Sequence, residues 1–217
     1  MKFGRKAGKG IPEEDAPLEA DAVPGDEPAV EAPEETQRGP FDEDDVDTED
    51  REGVDLGSLM VTPAGPMEMR LQVDEQSGEV MAVLLVADQG ALELRAFAAS
   101  RGGGAWDELR PRIAAETTQM GGTATEGEGP FGPDLRCTVP VQAEDGRQGT
   151  QVSRVMGYEG PRWLLRATLM GQPATEDGVP EVWEETIRQT VVRRGRDAMA
   201  PGTPLPLHLP PEARRVE

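Results

Sequence analysis

Three arginines between residues 150 and 170 are the side chains in this chain best suited to chemistry. Arg154, Arg162 and Arg166 lie in the apolar stretch QVSRVMGYEGPRWLLRATLMG, within a chain whose net charge is −20. The planar guanidinium group forms paired hydrogen bonds with carboxylates and with phosphates. The stretch therefore indicates either an anion-binding site or a set of internal ion pairs.

A β-hairpin in this stretch would set two of the arginines against each other. If residues 159–161 form a three-residue turn, Arg154 lies directly opposite Arg166. Like charges in opposed positions destabilise a sheet unless an anion lies between them. That anion is either a carboxylate of the protein, such as Glu93 or Glu116, or the carboxylate or phosphate of a ligand. The sequence leaves both interpretations open.

The other candidate residues do not indicate a catalytic site. His208, the single histidine, lies in a proline-rich segment without a Ser or Cys neighbour, so no nucleophile and base are paired. Cys137 lies on the apolar side of a predicted strand, together with Leu135, Val139 and Val141, which predicts a buried thiol in the core. The RGGG sequence of residues 101–104 precedes a helix but lacks the pattern of a phosphate-binding loop. The acidic run at residues 42–50 lacks the glycine and glutamate of a calcium loop. We therefore predict no catalytic residue, no metal site and no cofactor.

The charge distribution predicts three regions. Residues 1–55 carry a basic start followed by 19 acidic residues between positions 13 and 55, which indicates a disordered, self-repelling tail. Residues 56–196 show the periodicities of a folded α+β domain. Residues 197–217 form a proline-rich C-terminal tail.

The composition also limits location and partners. The longest apolar run, VMAVLLVA at residues 80–87, is far shorter than the ~20 residues of a membrane-spanning helix. The basic start is followed by acids, so no secretory signal is expected, and we expect a soluble, cytoplasmic protein. The strong negative charge disfavours direct binding of nucleic acid. A protein partner of unknown identity fits better, and the oligomeric state is left open.

Hydrophobic periodicity predicts an antiparallel α+β fold. The predicted strands are 67–74, 80–86, 91–98, 123–126, 135–142, 150–158 and 162–170, and the predicted helices are 106–120 and 180–189. Pro111 lies inside the first helix and predicts a kink or a later start there. Between the fourth and fifth strands, GEGPFGP predicts a protruding loop. The order βββ-α-ββββ-α groups strands and helices, which favours a single antiparallel sheet flanked by two helices. This order is similar to the Mog1/PsbP type of architecture.

Several segments together resemble an actinobacterial family known only as a domain of unknown function. They are LRAFAASRGGGAWDELRPRI, GEGPFGPDL, VMGYEGPRWLLRATLMGQPA with its GPRWLLR motif, VVRRG and LPLHLP, and the resemblance covers about residues 55–211. It implies a cytoplasmic protein with a variable acidic N-terminal tail, and it supplies no catalytic residues. The leading interpretation is a non-catalytic interaction or adaptor module. The alternative is a small-anion-binding protein or enzyme that uses Arg154, Arg162 and Arg166.

Overall fold

A seven-stranded antiparallel sheet forms the centre of the protein. The computed structural model describes residues 39–49, 51–142 and 146–210. The strands in chain order are β1 Phe41–Asp42, β2 Val54–Asp55, β3 Leu59–Val61, β4 Glu68–Val73, β5 Val80–Ala87, β6 Gly90–Ala98, β7 Thr123–Gly129, β8 Gly132–Gln142, β9 Gln148–Gly160, β10 Trp163–Gly171 and β11 Val191–Val192. The helices are α1 Ala105–Gln119 and α2 Glu181–Gln189, with 3-10 turns at Glu43–Asp45 and Gln172–Thr175.

The central sheet has the strand order β4-β5-β6-β10-β9-β8-β7 with every neighbouring pair antiparallel. The predicted α+β class is confirmed, and each strand and helix that periodicity predicted is present. The short strands β1, β11, β3 and β2 form a second, four-stranded sheet that the sequence did not predict.

Two local expectations were wrong. Helix α1 does not start after Pro111, because it begins at Ala105 and includes that proline. The GEGPFGP segment is not a protruding loop, because β7 runs to Gly129 and β8 begins at Gly132, so the two strands meet at a tight turn. Glycine tolerates the backbone geometry of such turns, so a Gly-rich segment forms a hairpin as readily as an irregular loop.

The two faces of the central sheet bury two separate apolar clusters. The larger cluster joins Leu94 and Leu165 of the sheet to Trp183 and Ile187 of α2. The smaller cluster lies under α1 and includes Trp106. Helix α1 packs mainly against β7, β8 and β9, and through Trp106 it also shares the smaller cluster with Leu164 of β10.

The fold includes segments on both sides of residues 56–196. Strand β1 pairs in parallel with β11, and the buried Asp42 carboxylate accepts a 2.5 Å hydrogen bond from the indole of Trp163. Leu205 and Leu207 of the proline-rich segment are buried in the larger cluster. The disorder predicted for residues 1–38 falls outside the described residues. Among those described, neither helix is both long and apolar enough to cross a bilayer.

Candidate functional site

The hairpin register separates two arginines that the sequence placed opposite each other. Strand β9 extends to Gly160, so only Pro161 and Arg162 form the turn, and Arg162 takes a positive φ of 63°. Arg166 consequently lies opposite Gly157, and Arg154 lies opposite Leu169. The predicted opposition of Arg154 and Arg166 was wrong, because a shift of pairing by an odd number of residues moves a side chain to the other face of the sheet.

Arg154 belongs to a buried ion pair. Its side chain is 1% exposed, and its Nε lies 2.5 Å from the carboxylate of Asp134, which is fully buried. The terminal nitrogens donate to the carbonyl oxygens of Asp177 and Glu128, each at 3.2 Å. Arg154 therefore ties β9 to β8, to β7 and to the segment before α2, and no ligand can reach it without opening the fold. Asp134 was missed because it lies between the predicted loop of residues 127–133 and the predicted strand that begins at residue 135.

Arg166 lies on the opposite face and faces a second arginine. Its nitrogen Nη2 pairs with Glu93 at 2.8 Å, and Glu93 is one of the two acids that the sequence suggested. Across the neighbouring strand, the register puts Arg166 directly opposite Arg95. Both guanidinium groups lie 5.6 Å from the ring of Phe97. The arginine that opposes Arg166 is therefore Arg95 of β6, a residue that the sequence analysis did not single out.

The Arg95–Arg166 pair is only partly satisfied. The Nε atoms of both arginines are buried without a hydrogen-bond partner. Burial, and then the positive charge of Arg166, lower the pKa of Arg95 below its ordinary value. Glu93 acts against this lowering, and its single carboxylate faces two guanidinium groups.

Arg162 lines an open cleft of about 450 Å³ on the surface of the protein. The cleft is lined by Arg101, Pro161, Arg162 and Arg196, and we call it the arginine cleft. The Nη2 of Arg162 donates to the carbonyl of Gly195 at 3.3 Å. Within the described ranges, Arg101, Arg162 and Arg196 form no ion pair. The structure therefore places Arg154, Arg162 and Arg166 in three separate environments.

A protein carboxylate holds the loop that carries Arg101. Glu159 accepts hydrogen bonds from the backbone N–H groups of Gly104, at 2.8 Å, and of Trp106. These are groups that a phosphate would need at the start of α1. The glycine-rich loop at residues 101–104 is thus held by Glu159 rather than left open for a phosphate.

The surroundings of Cys137 and His208 fit a structural role for both residues. Cys137 is 3% exposed and burial raises the pKa of its thiol, as expected for a core cysteine. The backbone N–H of His208 donates to the carbonyl of Leu56 at 2.8 Å. Across the part of the chain that the structure describes, no three His, Cys, Asp or Glu side chains are grouped so that they could hold a metal ion.

The fold and its arginine clusters define an α+β domain with exposed positive charge on an acidic chain. The chain belongs to the family described as Protein of unknown function (DUF3710), whose model matches residues 39–216. This match confirms the resemblance to a family known as a domain of unknown function. The search of curated proteins found no match.

Proposed function

We propose that the protein is a non-catalytic interaction module that binds an acidic segment of a protein partner in the arginine cleft. One observation carries the proposal: Arg101, Arg162 and Arg196 line one open cleft, and none of the three is paired with a carboxylate of the described residues. Guanidinium groups are suited to recognising carboxylates. In a chain of net charge −20, such a group of unpaired cations favours an acidic partner.

The lining of the cleft supports binding rather than catalysis. Its four lining residues are three arginines and Pro161, which supply positive charge and hydrogen-bond donors. A general base near neutral pH must accept a proton, and arginine stays protonated throughout that range. None of these side chains is a nucleophile. The cleft can therefore hold an anionic group, but its own side chains cannot activate one.

A second candidate is the binding of a small anionic molecule. The cleft volume of about 450 Å³ lies within the range of about 300–1,000 Å³ that is typical of small-molecule sites. The alternative differs from the first candidate in its ligand, which would be a di- or tricarboxylate rather than a peptide.

We also propose a cytoplasmic location and an extended acidic tail before residue 39. The acidic composition of residues 13–38 and the single cysteine support these assignments. The experiment that follows therefore uses the full chain.

The test measures binding of a fluorescein-labelled oligoglutamate peptide to the full chain by anisotropy. Ionic strength is set near 0.15 M, where the Debye length of about 8 Å limits long-range repulsion. We expect Arg101→Gln and Arg196→Gln each to weaken binding by about tenfold, a loss of about 1.4 kcal/mol. Arg112→Gln, at an exposed position of α1, removes the same charge and serves as the control.

The outcomes separate the two candidates. A loss in the two cleft variants with an unchanged Arg112→Gln variant supports the cleft. Equal losses in all three variants would show a general charge effect and refute the proposal. Binding of citrate without binding of the peptide, lost in the same two variants, would favour the small anion.

A further inference from the structure

A partly exposed face of β6 and β10 carries a second cluster, built around the Arg95–Arg166 pair. Strands β6 and β10 pair so that Arg95 and Arg166 are directly opposed, and Phe97 follows Arg95 on the same face. The side chains of Glu93, Arg95, Phe97, Arg166 and Thr168 on this face are all partly exposed. A ligand can therefore approach these side chains from solvent.

The charges of this cluster do not balance. Two guanidinium groups share one carboxylate, because Glu93 pairs with Arg166 at 2.8 Å and no ion pair or hydrogen bond joins Arg95 to any described residue. Like charges directly opposed on a sheet are destabilising. One further negative charge would bring the cluster to neutrality.

We propose that the Arg95–Arg166 pair binds the carboxylate of a ligand whose flat, apolar part packs on Phe97. The carboxylate bridges the two guanidinium groups, and Glu93 keeps its contact with Arg166. A bridging carboxylate provides the counter-charge that opposed like charges need.

The chemistry of the cluster narrows the ligand class. With Glu93 ionised, the cluster has a net charge of +1, which matches a monoanionic carboxylate better than a dianionic phosphate. Phe97 lies 5.6 Å from each guanidinium group, so its ring provides apolar surface beside the charge. Aromatic side chains prefer to pack on flat aromatic groups. An aryl carboxylate satisfies both requirements.

The site differs from the arginine cleft in residues and in ligand. None of Arg95, Phe97 and Arg166 lines the cleft. The lowered pKa of Arg95, caused by burial and by Arg166, supports the need for a nearby anion. The two proposals can therefore fail independently.

The test titrates the full-length protein with benzoate and follows the arginine Nε–H signals by NMR. We expect the signals of Arg95 and Arg166 to shift together with one dissociation constant. Arg95→Gln should weaken benzoate binding at least fivefold, and it should fold because Arg166 retains Glu93. Glu93→Gln should tighten binding, since it removes the carboxylate that competes for Arg166.

The controls identify the source of any effect. Arg196→Gln, in the arginine cleft, and Arg112→Gln, on α1, should leave benzoate binding unchanged. Binding unaffected by Arg95→Gln, or equally weakened by Arg196→Gln, would overturn the proposal. Shifts produced equally by benzyl alcohol would show that the carboxylate is not recognised. Tighter binding of phenyl phosphate than of benzoate would refute the preference for a monoanion.

Discussion

Replacing Arg154 by Met should destabilise the fold severely. Arg154 is 1% exposed and its only carboxylate partner, Asp134, is fully buried. Methionine fills part of the volume but leaves that carboxylate without its counter-charge. Breaking a buried ion pair by removing one partner typically costs about 3–5 kcal/mol, because it leaves an uncompensated charge in the interior.

The surroundings of Asp134 place the loss in the upper part of that range. Its second oxygen, Oδ1, already lacks a hydrogen-bond partner, so the carboxylate has no alternative donor. Arg154 also donates to the carbonyls of Glu128 and Asp177, and these hydrogen bonds would be lost as well. Since small domains are stabilised by about 5–15 kcal/mol, we expect a loss of about 4–5 kcal/mol to remove a large part of the stability of the fold.

Urea unfolding followed by tryptophan fluorescence measures this loss. A second variant, Arg154→Met with Asp134→Asn, removes the unpaired charge and should recover about 1–3 kcal/mol, because a buried amide costs less than a buried ion. A loss below about 1 kcal/mol in Arg154→Met, or no recovery in the double variant, would refute the reasoning. Arg95→Gln, which removes an arginine from the partly exposed face, controls for the change of charge.

Three further outcomes follow from the packing and the charges. Gly157→Ala should cost about 1–3 kcal/mol in urea unfolding, because an added Cβ would overlap the indole of Trp106; an unchanged midpoint would contradict this. Asp55→Asn should cost less than about 1 kcal/mol at pH 7, since its pair with Arg193 is exposed. The hydrogen bond from Arg193 lowers the pKa of Asp55, so the stability that the ionised carboxylate provides is present above its unfolded pKa of about 3.9. The difference in free energy of unfolding between the native protein and Asp55→Asn should therefore shrink as the pH falls below that value. A difference that stays constant with pH would contradict this. Cys137 should react with a thiol reagent far more slowly in the native protein than in denaturant, and equal rates would show that it is not buried.

The long elements could be predicted because each has a clear periodicity. Strand β5 is a continuous apolar run, and in β4 the half-buried Met69 and Leu71 alternate with exposed residues, although Val73 at its end is exposed. Such patterns report which face of an element is buried, and the structure follows them. The four strands of the small sheet have only two or three residues each, so they are too short to show a period.

The acidic composition of residues 42–50 gave no indication that one of its residues is buried in the fold. Asp42 begins the run DEDDVDTED, which is typical of a solvated tail. In the structure its carboxylate is buried and accepts the hydrogen bond of Trp163. That one contact depends on a residue 121 positions away, and no local pattern indicates it.

The register of the arginines depended on the length of one turn. A turn of two residues rather than three changed the partner of every residue in β9 and β10. The sequence EGPR is compatible with either length, so the predicted opposition of Arg154 and Arg166 depended on a turn length that the sequence does not determine, and it was wrong. The correct partner of Arg166 lies on β6, where the alternation of ALELRAFA places Arg95 on the partly exposed face.

Core packing accounts for the register at β6 and β10 but not for the arginine at position 95. A slip of one residue would expose Trp163, Leu165 and Leu169, each worth about 1.5–3 kcal/mol of burial. Opposed like charges cost only about 0.2–1 kcal/mol, so the register persists in spite of them. A neutral side chain at position 95 would remove the repulsion and leave that buried face unchanged. Arg95 contacts the ring of Phe97 at 5.6 Å but forms no ion pair with a described residue, so the proposed anion would supply the counter-charge that Arg95 lacks.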